Sequence, residues 1–397
     1  MEVVVTGIGL ISALGRLKSS WSSLLQGESG IQQLQPFAHL RSSPLALVGL
    51  APSDVPTLTA LVVADALEDA GLAPPLADCG VVIGSSRGCQ GSWEQLARRW
   101  RIRSDDCDRY DPVQLIASDL ANPVITLDSW LNILPQQGAI ATAHQVGSLG
   151  PVLAPMAACA TGIWAIAQGV ELIRTGQCQR VLAGAVEAPI TPLTLAGFAK
   201  MGALAESGCY PFDQNRQGLV LGEGAAVLVL ESAQLASKRG AFIYGQVLGF
   251  GLTCDAFHVT APAPVNCSGI SAVRQCLERS QLVAKEIDYI HAHGTSTQLN
   301  DQNEAQLIQQ LFGLDVAVSS TKGTTGHTLG ASGAMGAAFC LMALKEQQMP
   351  PCVGLKTPAF ELDFVTIPRQ SEIQNVLCFS FGFGGQNAVL ALRKELS

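Results

Sequence analysis

The chain has 397 residues, of which 48% are hydrophobic and only 14% charged, and its net charge is −8. That composition excludes a disordered chain, and the acidic balance argues against general nucleic-acid binding. A single core stops growing at roughly 250–300 residues, so two core-forming units are expected.

The twelve cysteines include no C-x-x-C pair. Neither a disulfide framework nor a zinc framework is supported, and a reduced, cytoplasmic setting fits. No segment offers the about 20 continuously apolar residues of a membrane span. Residues 1–7 enter a strand at once, without the basic lead, apolar segment and cleavage site of a signal peptide, so a soluble protein is expected.

In chain order, a strand over 3–6 runs into Gly7-Ile8-Gly9-Leu10-Ile11-Ser12. A strand followed by G-x-G hints at a dinucleotide site, but Ser12 stands where the last glycine of that fingerprint belongs. Helices follow over 17–26, ending at Gly27, and over 58–70, stopped by Gly71. A strand over 80–84 leads to the loop Ser85-Ser86-Arg87-Gly88, and the polar stretch 92–128 takes no assignment. Residues 129–170 then contain no Asp, Glu, Lys or Arg. A short apolar strand over 152–154 approaches Cys159, and Ile163, Ile166, Ala167, Val170 and Ile173 recur beyond it at helical spacing. Buried strands over 180–185 and 225–230 close this portion.

The remainder echoes it. Gly249-Phe250-Gly251-Leu252 repeats Gly7-Ile8-Gly9-Leu10 after a strand over 243–250. Residues 289–296 repeat 81–86, and 317–320 precede a Gly-rich turn and an Ala-rich helix, as 152–154 precede Cys159. Residues 377–380 and 388–392 repeat 181–184 and 225–230. Alternating strands and helices imply a mostly parallel sheet with covering helices. The repeat also accounts for Gly7-x-Gly9 without a cofactor.

Four clusters carry chemistry. Cys159 lies among small residues at the expected start of a buried helix, where unpaired N–H groups and the helix dipole favour a thiolate and can hold an oxyanion. A plain core cysteine is the alternative. The others are A-H-G-T-S-T at 292–297 with Asp301 and Glu304 beyond it, S-S-T-K-G-T-T-G-H at 319–327, and F-G-F-G-G-Q-N at 381–387. Each has an ordinary reading: a satisfied core histidine at His293, a turn residue at His327, a surface charge at Lys322, a Gly turn around Phe383, and exposed acids in a first helical turn at Asp301 and Glu304. Active sites of open α/β sheets gather at the carboxyl ends of strands, so the repeat brings all four clusters towards one crevice.

With those motifs, A-A-C-A-T-G at 157–162 included, the chain resembles the β-ketoacyl-acyl carrier protein synthases, closest to the type II elongating enzymes. The resemblance implies a thiolase-like α/β fold, with two duplicated βαβαβαββ halves (1–240 and 241–397) in a layered α/β/α/β/α core. It implies catalytic Cys159, His293 and His327, a structural Lys322 paired with Glu304, and Phe383 as gate and oxyanion donor beside Cys159. Phe198, Thr295, Thr297, Phe381 and Gly384 would contact substrate. It further implies an acyl carrier protein partner, a homodimer and no cofactor beyond the phosphopantetheine that the carrier brings. The implied reaction is decarboxylating condensation of an acyl group held on Cys159 with a malonyl-carrier in fatty acid elongation.

The chain departs from the family pattern in places. Segment 129–149 matches poorly, Gln386 replaces a usual threonine, and helix 58–70 lacks basic residues for an acidic carrier. Lys200, Arg98, Arg99, Arg101 and Arg103 are the candidate replacements. A polyketide ketosynthase would carry the same catalytic residues, as could a non-elongating paralogue. A degradative thiolase would bring a second catalytic cysteine to 382–385, where none stands, and a non-catalytic chain-length subunit would replace Cys159.

Overall fold

The structure, a computed structural model, describes residues 1–105, 126–263 and 266–395, with only the backbone for 99–105. One sheet runs through the molecule. Its strands in chain order are β1 (Val3–Ser12), β2 (Gly80–Gly84), β3 (Val152–Leu153), β4 (Arg180–Glu187), β5 (Gly224–Ser232), β6 (Gly245–Cys254), β7 (Tyr289–His291), β8 (Ala317–Ser319), β9 (Asp363–Phe364), β10 (Asn375–Gly382) and β11 (Gln386–Arg393). They lie in the order β9-β8-β7-β10-β11-β6-β1-β5-β4-β2-β3, with the short Gly15–Arg16 strand hung on β1.

The repeat is visible in that order. Read inward from its edge, the first portion runs β3-β2-β4-β5-β1 and the second runs β8-β7-β10-β11-β6, which is the same sequence of places, with β9 added outside. Both are parallel over their outer three strands and antiparallel over the inner ones. The sheet is therefore mixed, not mostly parallel as the alternation of elements suggests. Antiparallel pairing of Val3 with Val247 and Val5 with Gly245 joins the two portions.

Five layers result. Helices α1 (Val55–Asp69) and α2 (Gln137–Val146) cover the outer face of the first portion. Helices α5 (Cys267–Ser280) and α6 (Gln298–Phe312) cover that of the second. Between them, α3 (Thr161–Arg174) and α7 (Ser332–Glu346) share one core with Val5 and Leu228 on one side and Val376 and Leu390 on the other. Every residue from Ser332 to Leu344 is buried, which explains why α7 is built of Gly, Ala, Ser and Cys among a few larger apolar residues. Each fully buried Leu or Ile in this layer contributes roughly 1.5–3 kcal/mol. A small-to-large change at the α3–α7 crossing, where Gly162 abuts the Ala334 backbone, would force the layer apart.

Helix α1 begins at Val55, three residues before the apolar pattern suggests. Asp54 caps it by accepting the Thr57 N–H at 2.7 Å, and Pro56 sits in its first turn. Strand β1 extends through both glycines to Ser12. A Cβ on Gly9 would overlap the Val62 carbonyl oxygen of α1, and one on Gly251 would overlap that of Ala272 in α5. The G-x-G pairs thus let a strand press against a helix backbone, at the same point of both portions. They are not a phosphate turn.

Candidate active site

Cys159 lies at the bend between β3 and α3. It sits two residues before the helix, not in its first turn, because Ala158 takes a left-handed φ of 46°. The bend is held by the Ala157 N–H on Thr161 Oγ1 (2.9 Å), by Thr161 Oγ1 on the Ala158 carbonyl (2.6 Å), and by Ser380 Oγ on the Cys159 carbonyl (2.7 Å). A non-glycine residue in that region stores strain that the surroundings must impose.

The thiol is buried, and burial pushes its pKa up to about 11. The Lys322 charge, the Phe383 N–H and, more weakly, Arg87 pull the other way. This corrects the expectation of a readily ionised thiol. For this sulfur, two residues outside the helix, desolvation outweighs the nearby charges and the Phe383 N–H.

His293 follows β7 and His327 follows the turn Lys322–Thr325 beyond β8. Both are buried. One ring nitrogen of each and the Cys159 sulfur all lie within 4.8 Å of one another, and the two rings meet edge to face with centroids 5.3 Å apart. Burial and the Lys322 charge hold both histidines well below the ordinary histidine range, so both are neutral near pH 7. Lys322 Nζ stands 3.4 Å from His293 Nδ1. An ammonium only donates, so Nδ1 accepts and the ring proton sits on Nε2. His327 Nδ1 pairs with Ser332 Oγ at 2.9 Å.

Among the described residues Lys322 and Glu304 make no direct ion-pair contact, although the Glu304 charge is the first to oppose the burial that lowers the Lys322 pKa. Both instead hold one peptide segment. Glu304 accepts the N–H groups of His293 (2.5 Å) and Gly294 (2.7 Å), and Lys322 Nζ donates to the His293 carbonyl. Glu304 and Asp301 are buried on the inner face of α6, not exposed in its first turn. Asp301 accepts the N–H groups of Phe212 and Ser296.

One anchor carries no motif and escapes a reading of the sequence. Glu187, at the end of β4, is wholly buried. It accepts from Ser85 Oγ, Ser86 N–H, Ser86 Oγ, Arg87 N–H and Gly330 N–H at 2.6–3.0 Å. It ties the loop after β2 to the turn after His327. The only sequence signal is an acid ending an apolar strand.

A cavity of about 340 Å³ opens on Cys159, His293 and His327, walled by Phe198, Thr295, Thr297, Phe381 and Phe383. Phe198 and Phe383 stack with centroids 6.0 Å apart. Gly384 is not in the wall: it is exposed, its N–H on the Val259 carbonyl, and Gly385 lines the cavity instead. Lys200 is exposed as the last residue of helix α4 (Pro192–Lys200) and adjoins Met201 in the cavity wall. Arg98 is exposed on the helix Gln90–Asp105, and the side chains of Arg99, Arg101 and Arg103 lie outside the described residues. Cysteine and two histidines are donors that zinc accepts, but the buried Lys322 ammonium beside His293 opposes a second cation there.

The β-ketoacyl synthase N-terminal domain matches residues 53–236, and the β-ketoacyl synthase C-terminal domain matches 244–356. The chain is 33% identical to 3-oxoacyl-[acyl-carrier-protein] synthase 2 of Staphylococcus aureus (strain MRSA252), over 99% of this chain and 98% of that one. It is 42% identical to the Synechocystis protein of the same name over 64% of each. Among solved structures, a β-ketoacyl synthase from Burkholderia phymatum STM815 superposes with a TM-score of 0.85 at 29% identity over 100% of both chains. A chain of a type II polyketide ketosynthase in complex with its acyl-carrier protein superposes at 0.90, with 26% identity over 99% of both. The chain belongs to the β-ketoacyl synthase family.

Proposed function

We propose that this protein condenses an acyl group, held as a thioester on Cys159, with a malonyl group on an acyl carrier protein, giving the 3-ketoacyl-carrier of fatty acid elongation. The observation that carries the reading is the convergence of the Cys159 sulfur and one ring nitrogen each of His293 and His327 within 4.8 Å, on a cavity of a β-ketoacyl synthase chain.

In the first half-reaction Cys159 Sγ attacks the carbonyl of the acyl-phosphopantetheine thioester. Its proton leaves with the carrier thiol as the new sulfur–carbon bond forms. With a thiol pKa of about 11, this proton must move during attack. The N–H groups of Cys159 and Phe383 receive the carbonyl oxygen as it becomes an oxyanion. In the second half-reaction the malonyl-carrier loses carbon dioxide. The enolate oxygen takes hydrogen bonds from the neutral imidazoles, His293 through its Nε2–H. The enolate carbon then attacks the thioester, the carbon–carbon bond forms, and the Cys159 sulfur leaves as a thiolate that takes a proton from water. Lys322 and Glu304 position His293 through its own peptide. The chemistry calls for no metal or redox cofactor.

The carrier would dock near Lys200, beside Met201 at the cavity, with Arg98 as a second candidate cation. A second copy of the chain would cover the open edge β3, where Val152, Leu153, Leu149 and Met156 are 39–87% exposed. Among the described residues no helix is long and apolar enough to cross a membrane, and we place the enzyme in the cytoplasm. The 0.90 superposition on a chain of a polyketide ketosynthase complex supports polyketide extension as a second reading. Incubation with acyl-carrier and malonyl-carrier, with products weighed by mass spectrometry, tests both. A single 3-ketoacyl product two carbons longer than the donor supports elongation, repeated unreduced extension supports the polyketide reading, and no carbon–carbon bond formation rejects both.

A further inference from the structure

Arg87 is a cation at the nucleophile that the condensation does not use. It stands in the loop after β2, and that loop is fixed. Its own N–H and that of Ser86 are bound by buried Glu187, and the Gly88 N–H is held by Ser85 Oγ at 2.9 Å. The loop is also pressed onto the Cys159 bend. At Gly84 a Cβ would stand 2.7 Å from the Pro155 carbonyl and would also overlap Thr161, residues on either side of Cys159. From this base the guanidinium reaches over the ring of Phe198, 5.6 Å from its centroid. Phe198 in turn stacks on Phe383 and packs in one apolar cluster with Cys159, Ile190 and Leu195. Among the described residues no carboxylate pairs with the guanidinium and no side-chain hydrogen bond engages it.

Arg87 is exposed and does not line the cavity itself, so it is an acyl chain passing from Cys159 beyond Phe198 that would meet its positive charge, with N–H donors that no described residue takes. Plain methylenes there would strip water from a guanidinium and return no hydrogen bond, which is unfavourable. A carbonyl or hydroxyl oxygen beside the guanidinium would accept from it, and such bonds to a charged donor are among the stronger ones. We propose that Arg87 is a specificity-determining residue that selects oxygenated acyl chains, keto or hydroxy, over plain alkyl chains of equal length.

The inference rests on the condensing-enzyme reading, because it assumes an acyl group on Cys159. The test uses octanoyl-pantetheine and 5-oxooctanoyl-pantetheine as acyl donors, with butyryl-pantetheine as a short reference. The rate of adduct formation on Cys159 is followed by mass spectrometry in the wild type, Arg87→Leu and Arg87→Lys. The wild type should favour the oxo chain over octanoyl by about tenfold, the lower end of what a hydrogen bond to a charged donor contributes, and Arg87→Leu should bring that ratio to about one. Arg87→Lys, which keeps the charge, should retain part of the preference. The proposal is overturned by an oxo-to-alkyl ratio near one in the wild type, or by a ratio that Arg87→Leu leaves unchanged. If the wild type takes up none of the three acyl groups, the condensing-enzyme reading itself fails.

Discussion

The two portions of the molecule repeat one scaffold and spend it differently. The bend after β3 presents a nucleophile, while the turn after β8, at the matching place in the sheet, presents Lys322 and His327. The loop after β2 presents Arg87 and the matching segment after β7 presents His293. Each of the latter is gripped by a buried carboxylate, Glu187 from the end of a strand and Glu304 from a helix. Glu187 gathers five donors and Glu304 takes two backbone N–H groups, with Lys322 completing the hold on His293. A duplicated fold thus places side chains by topology and tunes them by which acid lies beneath. On the proposed mechanism the first portion handles the acyl group and the second handles the malonyl group.

That division can be broken most sharply at the histidines. His293→Ala and His327→Ala should still take an acyl group on Cys159. Each should release carbon dioxide from malonyl-carrier about 10²–10³-fold more slowly, the usual loss for one oxyanion donor. Equal loss in both half-reactions would erase the division of labour.

The grip on the His293 peptide comes next. Because Lys322 and Glu304 hold opposite ends of it, Lys322→Ala and Glu304→Ala should each reduce condensation, and the double variant should be no worse than the weaker single one. Losses that add in free energy would mean that the two act separately.

The two anchoring acids also differ in what they stabilise. Glu187→Ala strands five donors on two chain segments and should lower stability on the order of 3 kcal/mol in denaturant unfolding, more than Glu304→Ala. The reverse order would place the structural burden on the second portion.

The smallest effect concerns the thiol. Below a pKa of about 11 the thiolate fraction rises with pH, so alkylation of Cys159 by iodoacetamide should climb about tenfold per pH unit from pH 7 to 9 without levelling. A plateau below pH 8 would mean that Lys322 and the Phe383 N–H outweigh burial.

Much of this was legible in the sequence where local pattern and global fold agree. The apolar strands at 180–185 and 377–380, each followed by another, foretold equal places in the sheet, and Cys159, His293 and His327 do converge. What stayed hidden depends on distant partners. The antiparallel inner strands and the Val3–Val247 pairing leave no trace in alternation. The Ala158 bend, which keeps Cys159 out of the helix, is set by Thr161 and Ser380, the latter 221 residues away. Glu187 sits in no motif because its partners are main-chain donors, whose residue types are free to vary. Lys322 and Glu304 look like an ion pair by charge alone, whereas the peptide between them takes both bonds.

The central claim is that Cys159 carries the acyl group, and the most direct measurement is to find it. Wild type and Cys159→Ala would be incubated with an acyl-carrier protein, digested and analysed by mass spectrometry. The account predicts one acyl adduct on the wild-type peptide that contains Cys159, and none on the folded variant. An adduct on another cysteine, such as Cys89 or Cys378, or one that persists in Cys159→Ala, would contradict it.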